Sequence, residues 1–212
     1  MYIKMFNIVV LISGSGSNLQ AIIDACDSNI IKGKVVGVIS NESDAYGIER
    51  AKKHNIPYKY ISHNNFNSRE EFDEELVEVI NGFNPDLIVL AGFMRILSPV
   101  ATSIYKDKMI NIHPSLLPKY PGLNTHEKVL ANNDPIHGIT IHKVSAELDA
   151  GPIIAQAKIA VKKNESLDVL IERIHKAEHR LFPKIISQIA TNEINLKEFG
   201  LNQNIIDENY DF

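Results

Sequence analysis

The sequence predicts an α/β protein: a doubly wound, mostly parallel sheet with an antiparallel excursion in its second half. Three observations predict it. Short apolar runs alternate with helix-length segments through the first half. One of them, Asp86–Ala91, is apolar without alternation, as a central strand covered on both faces must be. In the second half, two strand-like segments are joined by a turn-rich link rather than a crossover helix.

Taken in order, Phe6–Ile12 is a buried-strand run and Ser17–Ser28 the helix that follows it. Val35–Ser40 is the second strand, with a short helix near Tyr46–His54, and Pro57–Ile61 is a weak third. Ser68-Arg-Glu-Glu71 is a capping-box pattern opening a helix to about Asn81. After the Asp86–Ala91 strand, Ser98-Pro99 reads as an N-cap followed by proline at the first helical position. Met109–His113 is the fifth strand, ended by Pro114, which has no N–H to give a ladder. Strands separated by helices in this way argue for right-handed βαβ units.

A proline-rich loop, Pro114 to Gly122, leads to a helix near Thr125–Asn132. The strands His137–Val144 and Ile153–Val161 flank Ser-Ala-Glu-Leu-Asp-Ala-Gly-Pro. A long amphipathic helix spans roughly Ser166–Ala190. The Asn-rich remainder is weakly patterned and is expected to be a loosely held tail. No internal repeat interrupts the chain, so one continuous domain over 1–212 is expected.

Composition narrows the function. The 212 residues are 44% hydrophobic and 23% charged, with formal net charge −4. That balance gives no support to a sequence-independent nucleic-acid or anionic-membrane binder. The single cysteine, Cys26, permits no intramolecular disulfide and no cysteine metal cluster. It reads as a small core residue in a reducing setting. The Ile8–Ile12 run is too short for a signal segment, and no stretch reaches the roughly 20 apolar residues of a membrane span. A cytoplasmic protein is expected.

Chemistry concentrates at the predicted strand ends. Asn111 and His113 share one face of their strand, at the edge where open α/β sheets place ligands. Together they could orient a carbonyl and donate to its oxygen as charge develops; the plainer alternative is two polar residues before a turn. Asp149, in a Gly-Pro-bounded turn, is the carboxylate best placed to hold His113 protonated, though an ordinary turn aspartate would look the same. Ser13-Gly-Ser-Gly-Ser-Asn18 joins the first strand to the first helix. With Leu19 where a third glycine belongs and Ser40-Asn41 where an acid would bind ribose, a dinucleotide fit is poor. No Gly-Lys-Ser/Thr follows, which excludes a Walker A loop. One phosphate held by Gly16, Ser17 and Asn18 is the better reading, against a turn using glycine for geometry alone.

Arg69 and Arg95 could each meet an anionic group, with surface solvation as their default. Met94, Ile96 and Leu97 could wall a planar heterocycle read by the backbone between them. A rival from another class is His175-Lys-Ala-Glu-His179, an inverzincin-like spacing that suggests a zinc hydrolase but lacks an evident third ligand.

Four stretches carry a resemblance: Val9 to Ile23, Leu90 to Ser98, Asn111-Ile-His-Pro-Ser-Leu-Leu-Pro-Lys-Tyr-Pro-Gly122 and Asp149-Ala-Gly-Pro152. Together, from about Phe6 to Ala190, the chain resembles the folate-dependent formyltransferases. Superfamily branches with an appended RNA-contacting or regulatory domain are not expected to fit 212 residues; a formyltetrahydrofolate hydrolase without the extra domain is the nearest alternative.

The resemblance implies a Rossmann-like formyltransferase fold: residues 1–108 as the phosphate-binding half, 109–190 as the catalytic and folate-side half, and 191–212 as tail. It implies transfer of a formyl group from 10-formyltetrahydrofolate to the amine of glycinamide ribonucleotide, without metal. Gly16, Ser17, Asn18 and Glu178 then look like ribonucleotide contacts. Arg69, Met94, Arg95, Ile96, Leu97 and Asn111 look like folate contacts, and Asn111, His113 and Asp149 like the catalytic set. Asn124 stands where many relatives carry histidine. The partners expected are these two small molecules, with no nucleic acid or membrane, in a monomer or homodimer. Because the substrate's own amine attacks, no Ser-His-Asp or Cys-His arrangement is required.

Overall fold

A computed structural model of the chain describes residues 5–199 and 205–212. Along the chain lie β1 (Phe6–Ile12), α1 (Ser17–Asp27), β2 (Gly33–Ser40), α2 (Tyr46–Lys53) and β3 (Tyr58–Tyr60). These are followed by α3 (Arg69–Gly82), β4 (Leu87–Leu90), α4 (Pro99–Ile104) and β5 (Met109–His113). The second half adds α5 (Thr125–Ala131), β6 (Ile136–Lys143), β7 (Ile153–Ala160), α6 (Leu167–Ala190) and β8 (Ile206–Asn209).

One eight-stranded sheet results, in the order β3-β2-β1-β4-β5-β6-β7-β8. Only β6 runs against its neighbours; β8 rejoins parallel to β7. The chain therefore reverses its winding between β1 and β4, and the C-terminal ends of those two strands flank the crevice where open sheets bind ligands.

Three of the helices, α3, α4 and α6, start on a serine whose side chain caps them. Ser68 Oγ accepts from Glu71 N at 3.1 Å, and the Glu71 carboxylate accepts from Asn67 N at 2.9 Å. Ser98 and Ser166 cap α4 and α6 in the same manner, with Pro99 at the first turn of α4. Strand alternation sorts the core into two layers. Ile8, Val10 and Ile12 pack with α1 and α6, while Val9 and Leu11 pack with Phe72, Leu76 and Ile80 of α3. No helix among the described residues is long and apolar enough to cross a membrane.

The expected loose tail is corrected. Ile194, Leu196 and Phe199 are buried in the α6-side core, and Lys143 Nζ donates to the Leu196 carbonyl at 2.7 Å. β8 covers the open edge of β7, with Ala155 opposite Ile206. Tyr210 is buried under the Arg180 guanidinium, 4.6 Å from the ring centroid. Ile206-Asp-Glu-Asn has no apolar run because edge pairing uses backbone, so its pattern was silent. Residues 200–204 of that tail, like residues 1–4, lie outside the described residues.

Candidate active site

The glycine turn is clamped from behind. Gly16 is the N-cap of α1 with φ of 67°, and a Cβ there would lie 2.7 Å from the Gly47 Cα. Gly47 N donates to the Gly14 carbonyl at 3.1 Å, tying α2 to the turn. Arg50 of α2, not foreseen, donates from Nε to the Ser15 carbonyl at 2.9 Å and from Nη1 to Gln20 Oε1 at 3.1 Å. A cation thus flanks the free N–H groups of α1, which favours an anionic guest.

On the other wall, Asn18 Nδ2 donates to Glu178 Oε2 at 2.9 Å, joining α1 to α6. Asn18 Oδ1 is buried without a partner. Burial pushes the Glu178 carboxyl up to about 7, against the opposing pull of the Asn18 bond. The fold thus favours the neutral acid: its advantage is complete below the ordinary value of 4.5 and is lost as pH climbs through about 7. Glu178→Gln should stabilise the free protein at pH 8 by up to about 3 kcal/mol in urea melts, with wild type and variant converging near pH 4. Equal stability at pH 8 would refute the buried-acid reading.

Asn111, Leu90 and His142 form a row across three strands: Leu90 pairs with Asn111, and Asn111 with His142. His142 Nδ1 lies 2.9 Å from its neighbour Lys143's carbonyl, so that nitrogen must be the donor. Burial holds this ring below the usual histidine range, against the raising effects of that bond and of Asp149. The neutral ring's Nε2 therefore accepts from Asn111 Nδ2, at 3.1 Å. One amide hydrogen is used in fixing the carboxamide; the second is free to meet a substrate oxygen.

Asp149 adopts a left-handed conformation, φ 51°, which a short acidic side chain tolerates. Its Oδ2 accepts from Gly122 N at 2.8 Å and lies 3.3 Å from His113 Nδ1; its Oδ1 lies 3.8 Å from His142 Nε2. The remote acid does reach the strand tip. Asn111 Nδ2 and His113 Nε2 are hydrogen-bonded to different partners. His113 is buried and its Nε2 donates to the Tyr120 carbonyl at 2.9 Å, a carbonyl that also accepts from Ser115 Oγ. The cause is the proline-rich loop folding back over β5: Thr140 Oγ1 donates to Ser115 O at 2.6 Å and accepts from Leu117 N at 3.0 Å. The Leu117–Pro118 peptide in this loop is cis.

A cleft of about 70 Å³ brings Arg95, Ile96 and Leu97 against Asn111, His142 and Asp149. Met94, which is exposed, and Arg69, at the surface beside Glu70, stand outside its lining. His175 and His179 stack with ring centroids 6.1 Å apart, and no group of three or more His, Cys, Asp or Glu among the described residues could hold a metal ion. A larger groove of about 810 Å³ runs between α1 and α6, sharing Ser17 with the glycine turn but none of the Asn111 cluster.

A fixed carboxamide, two buried imidazoles and a shared carboxylate line this edge, and no serine or cysteine among the described residues is hydrogen-bonded to a histidine. Such a site suits acyl-type group transfer in which the substrate brings the nucleophile. The chain belongs to the formyl transferase family, whose model matches residues 6–186. It is 52% identical over 192 residues to phosphoribosylglycinamide formyltransferase of Escherichia coli K12, covering 91% of each chain. The enzyme of the same name from Haemophilus influenzae is 43% identical, with 92% of each chain covered. Among solved structures, a phosphoribosylglycinamide formyltransferase from Coxiella burnetii superposes with a TM-score of 0.87 at 46% identity, covering 91% of this chain and 90% of that one.

Proposed function

We propose that this chain transfers the formyl group of 10-formyltetrahydrofolate to the amine of 5′-phosphoribosylglycinamide, yielding formylglycinamide ribonucleotide and tetrahydrofolate in purine biosynthesis. The observation carrying the site assignment is the Asn111–His142–Asp149–His113 cluster at the end of the sheet. In our reading the ribonucleotide phosphate rests on Gly16, Ser17 and Asn18, with Arg50 nearby and Glu178 facing the sugar. The folate heterocycle enters beside Arg95, Ile96 and Leu97, and Met94 and Arg69 close on it from outside the present cleft.

The amine attacks the formyl carbon and the carbonyl oxygen becomes an oxyanion. Asn111 donates to it with its free amide hydrogen. His113 exchanges the Tyr120 carbonyl for this stronger acceptor, while Asp149 compensates the ring's positive charge. The amine proton passes to the departing folate nitrogen, through a water ordered by Asp149, as the tetrahedral centre collapses. No metal takes part. We read the chain as one domain, with residues 1–108 holding the phosphate and 109–190 the reacting centre, and as a cytoplasmic monomer or homodimer.

Incubation with both substrates should release tetrahydrofolate only when glycinamide ribonucleotide is present, at a rate unaffected by a chelator. Formate release without the amine would instead mark a hydrolase, and loss of activity to the chelator would revive the His175–His179 zinc reading.

A further inference from the structure

Ser13 occupies the point where the winding of the sheet reverses, and it ties together the two loops that leave that point. Its backbone N donates to the Gly92 carbonyl at 3.0 Å. Its hydroxyl accepts from Met94 N at 2.7 Å and donates to Asn41 Oδ1 at 2.5 Å. These roles are unambiguous. A peptide N–H can only donate, and Asn41 is oriented by its own Nδ2, which gives its hydrogen to Glu42 Oε1 at 2.8 Å. Asn41 is buried, 3% exposed, so its oxygen has no ready substitute for the Ser13 hydroxyl. One hydroxyl therefore fixes the start of the glycine turn, the end of β2 and the start of the 94–97 loop together.

We propose that Ser13 is a positioning residue that couples the two substrate sites, so that occupying one favours binding at the other. This rests on the reading that the glycine turn holds the ribonucleotide and the 94–97 loop the folate. A phosphate that orders Gly16, Ser17 and Asn18 also immobilises Ser13 at the head of the same turn. Ser13 in turn holds Met94 N, and the folate loop then loses less freedom when its ligand arrives. The coupling is reciprocal by thermodynamic necessity. It also explains why a buried polar residue, Asn41, directly follows β2: its side-chain oxygen accepts from Ser13.

The test uses the full chain with glycinamide ribonucleotide and tetrahydrofolate, a pair that cannot react. Titration calorimetry gives each Kd alone and with the other ligand saturating. Wild type should show about fivefold tightening in both directions, the low end of typical site–site coupling. Ser13→Ala should bring that factor close to one, and Ser13→Thr, which keeps a hydroxyl, should retain it. A merely structural role would weaken both affinities or the melting temperature and leave the factor intact. A wild-type factor of one, an alanine variant that keeps the factor, or a threonine variant that loses it overturns the proposal. Binding of both ligands without coupling sinks only this inference; binding of neither sinks the functional reading beneath it.

Discussion

Asn111→Ala should lower kcat by about 10²–10³, the usual consequence of removing one oxyanion donor. The structure makes the expectation specific. The carboxamide is held by the lone pair of a neutral His142, and its second hydrogen is thereby aimed without a cost of reordering at the moment charge develops. Folate KM should change far less than kcat, because the bond is strongest when the oxygen is anionic. Asn111→Asp should be at least as damaging: an acceptor-only carboxylate would face the His142 lone pair and repel the oxyanion. Near-normal turnover by either variant in a steady-state assay would remove Asn111 from the chemistry.

For Asp149→Asn the expectation is a fall in kcat of about 10² or more, within the range seen for groups that serve proton transfer. Asparagine keeps the left-handed turn and can still accept from Gly122 N, so folding should survive. What disappears is a negative charge 3.3 Å from one imidazole and 3.8 Å from another. Removing it takes away the countercharge for an imidazolium formed during the reaction, and kcat should fall more than KM rises. Combined with His113→Ala, the loss should be no greater than that of the worse single variant, because the two act as one unit. Near-normal kcat in a steady-state assay would leave Asp149 a turn residue and nothing more.

Much of this was legible in the residues. Alternation placed Asn111 and His113 at a strand tip, and the Asp149-Ala-Gly-Pro turn marked its carboxylate. The glycine turn was recognisable from Ser13 to Asn18. His142 was not, because its role depends on β6 lying antiparallel to β5 in one register, and a shift of one residue would have turned it away. Tyr120 was missed for a related reason: only a folded-back loop brings a backbone carbonyl to His113. The bond between Ser13 and Asn41 was not legible, since a hydroxyl bridging two loops has no pattern of its own. Arg50 sits on a different helix from the turn it supports. The edge strand at 206–209 pairs through peptide groups, which every sequence possesses.

Gly16 and Gly47 stand back to back, and neither has space for even a methyl group. Any drift toward a bulkier or uncharged guest must therefore take place on the opposite wall, around Asn18 and Glu178, where side chains exist to be exchanged. In the proposed reading the phosphate end is a fixed anchor, and the capacity for evolutionary retuning lies across the gap, on the long helix.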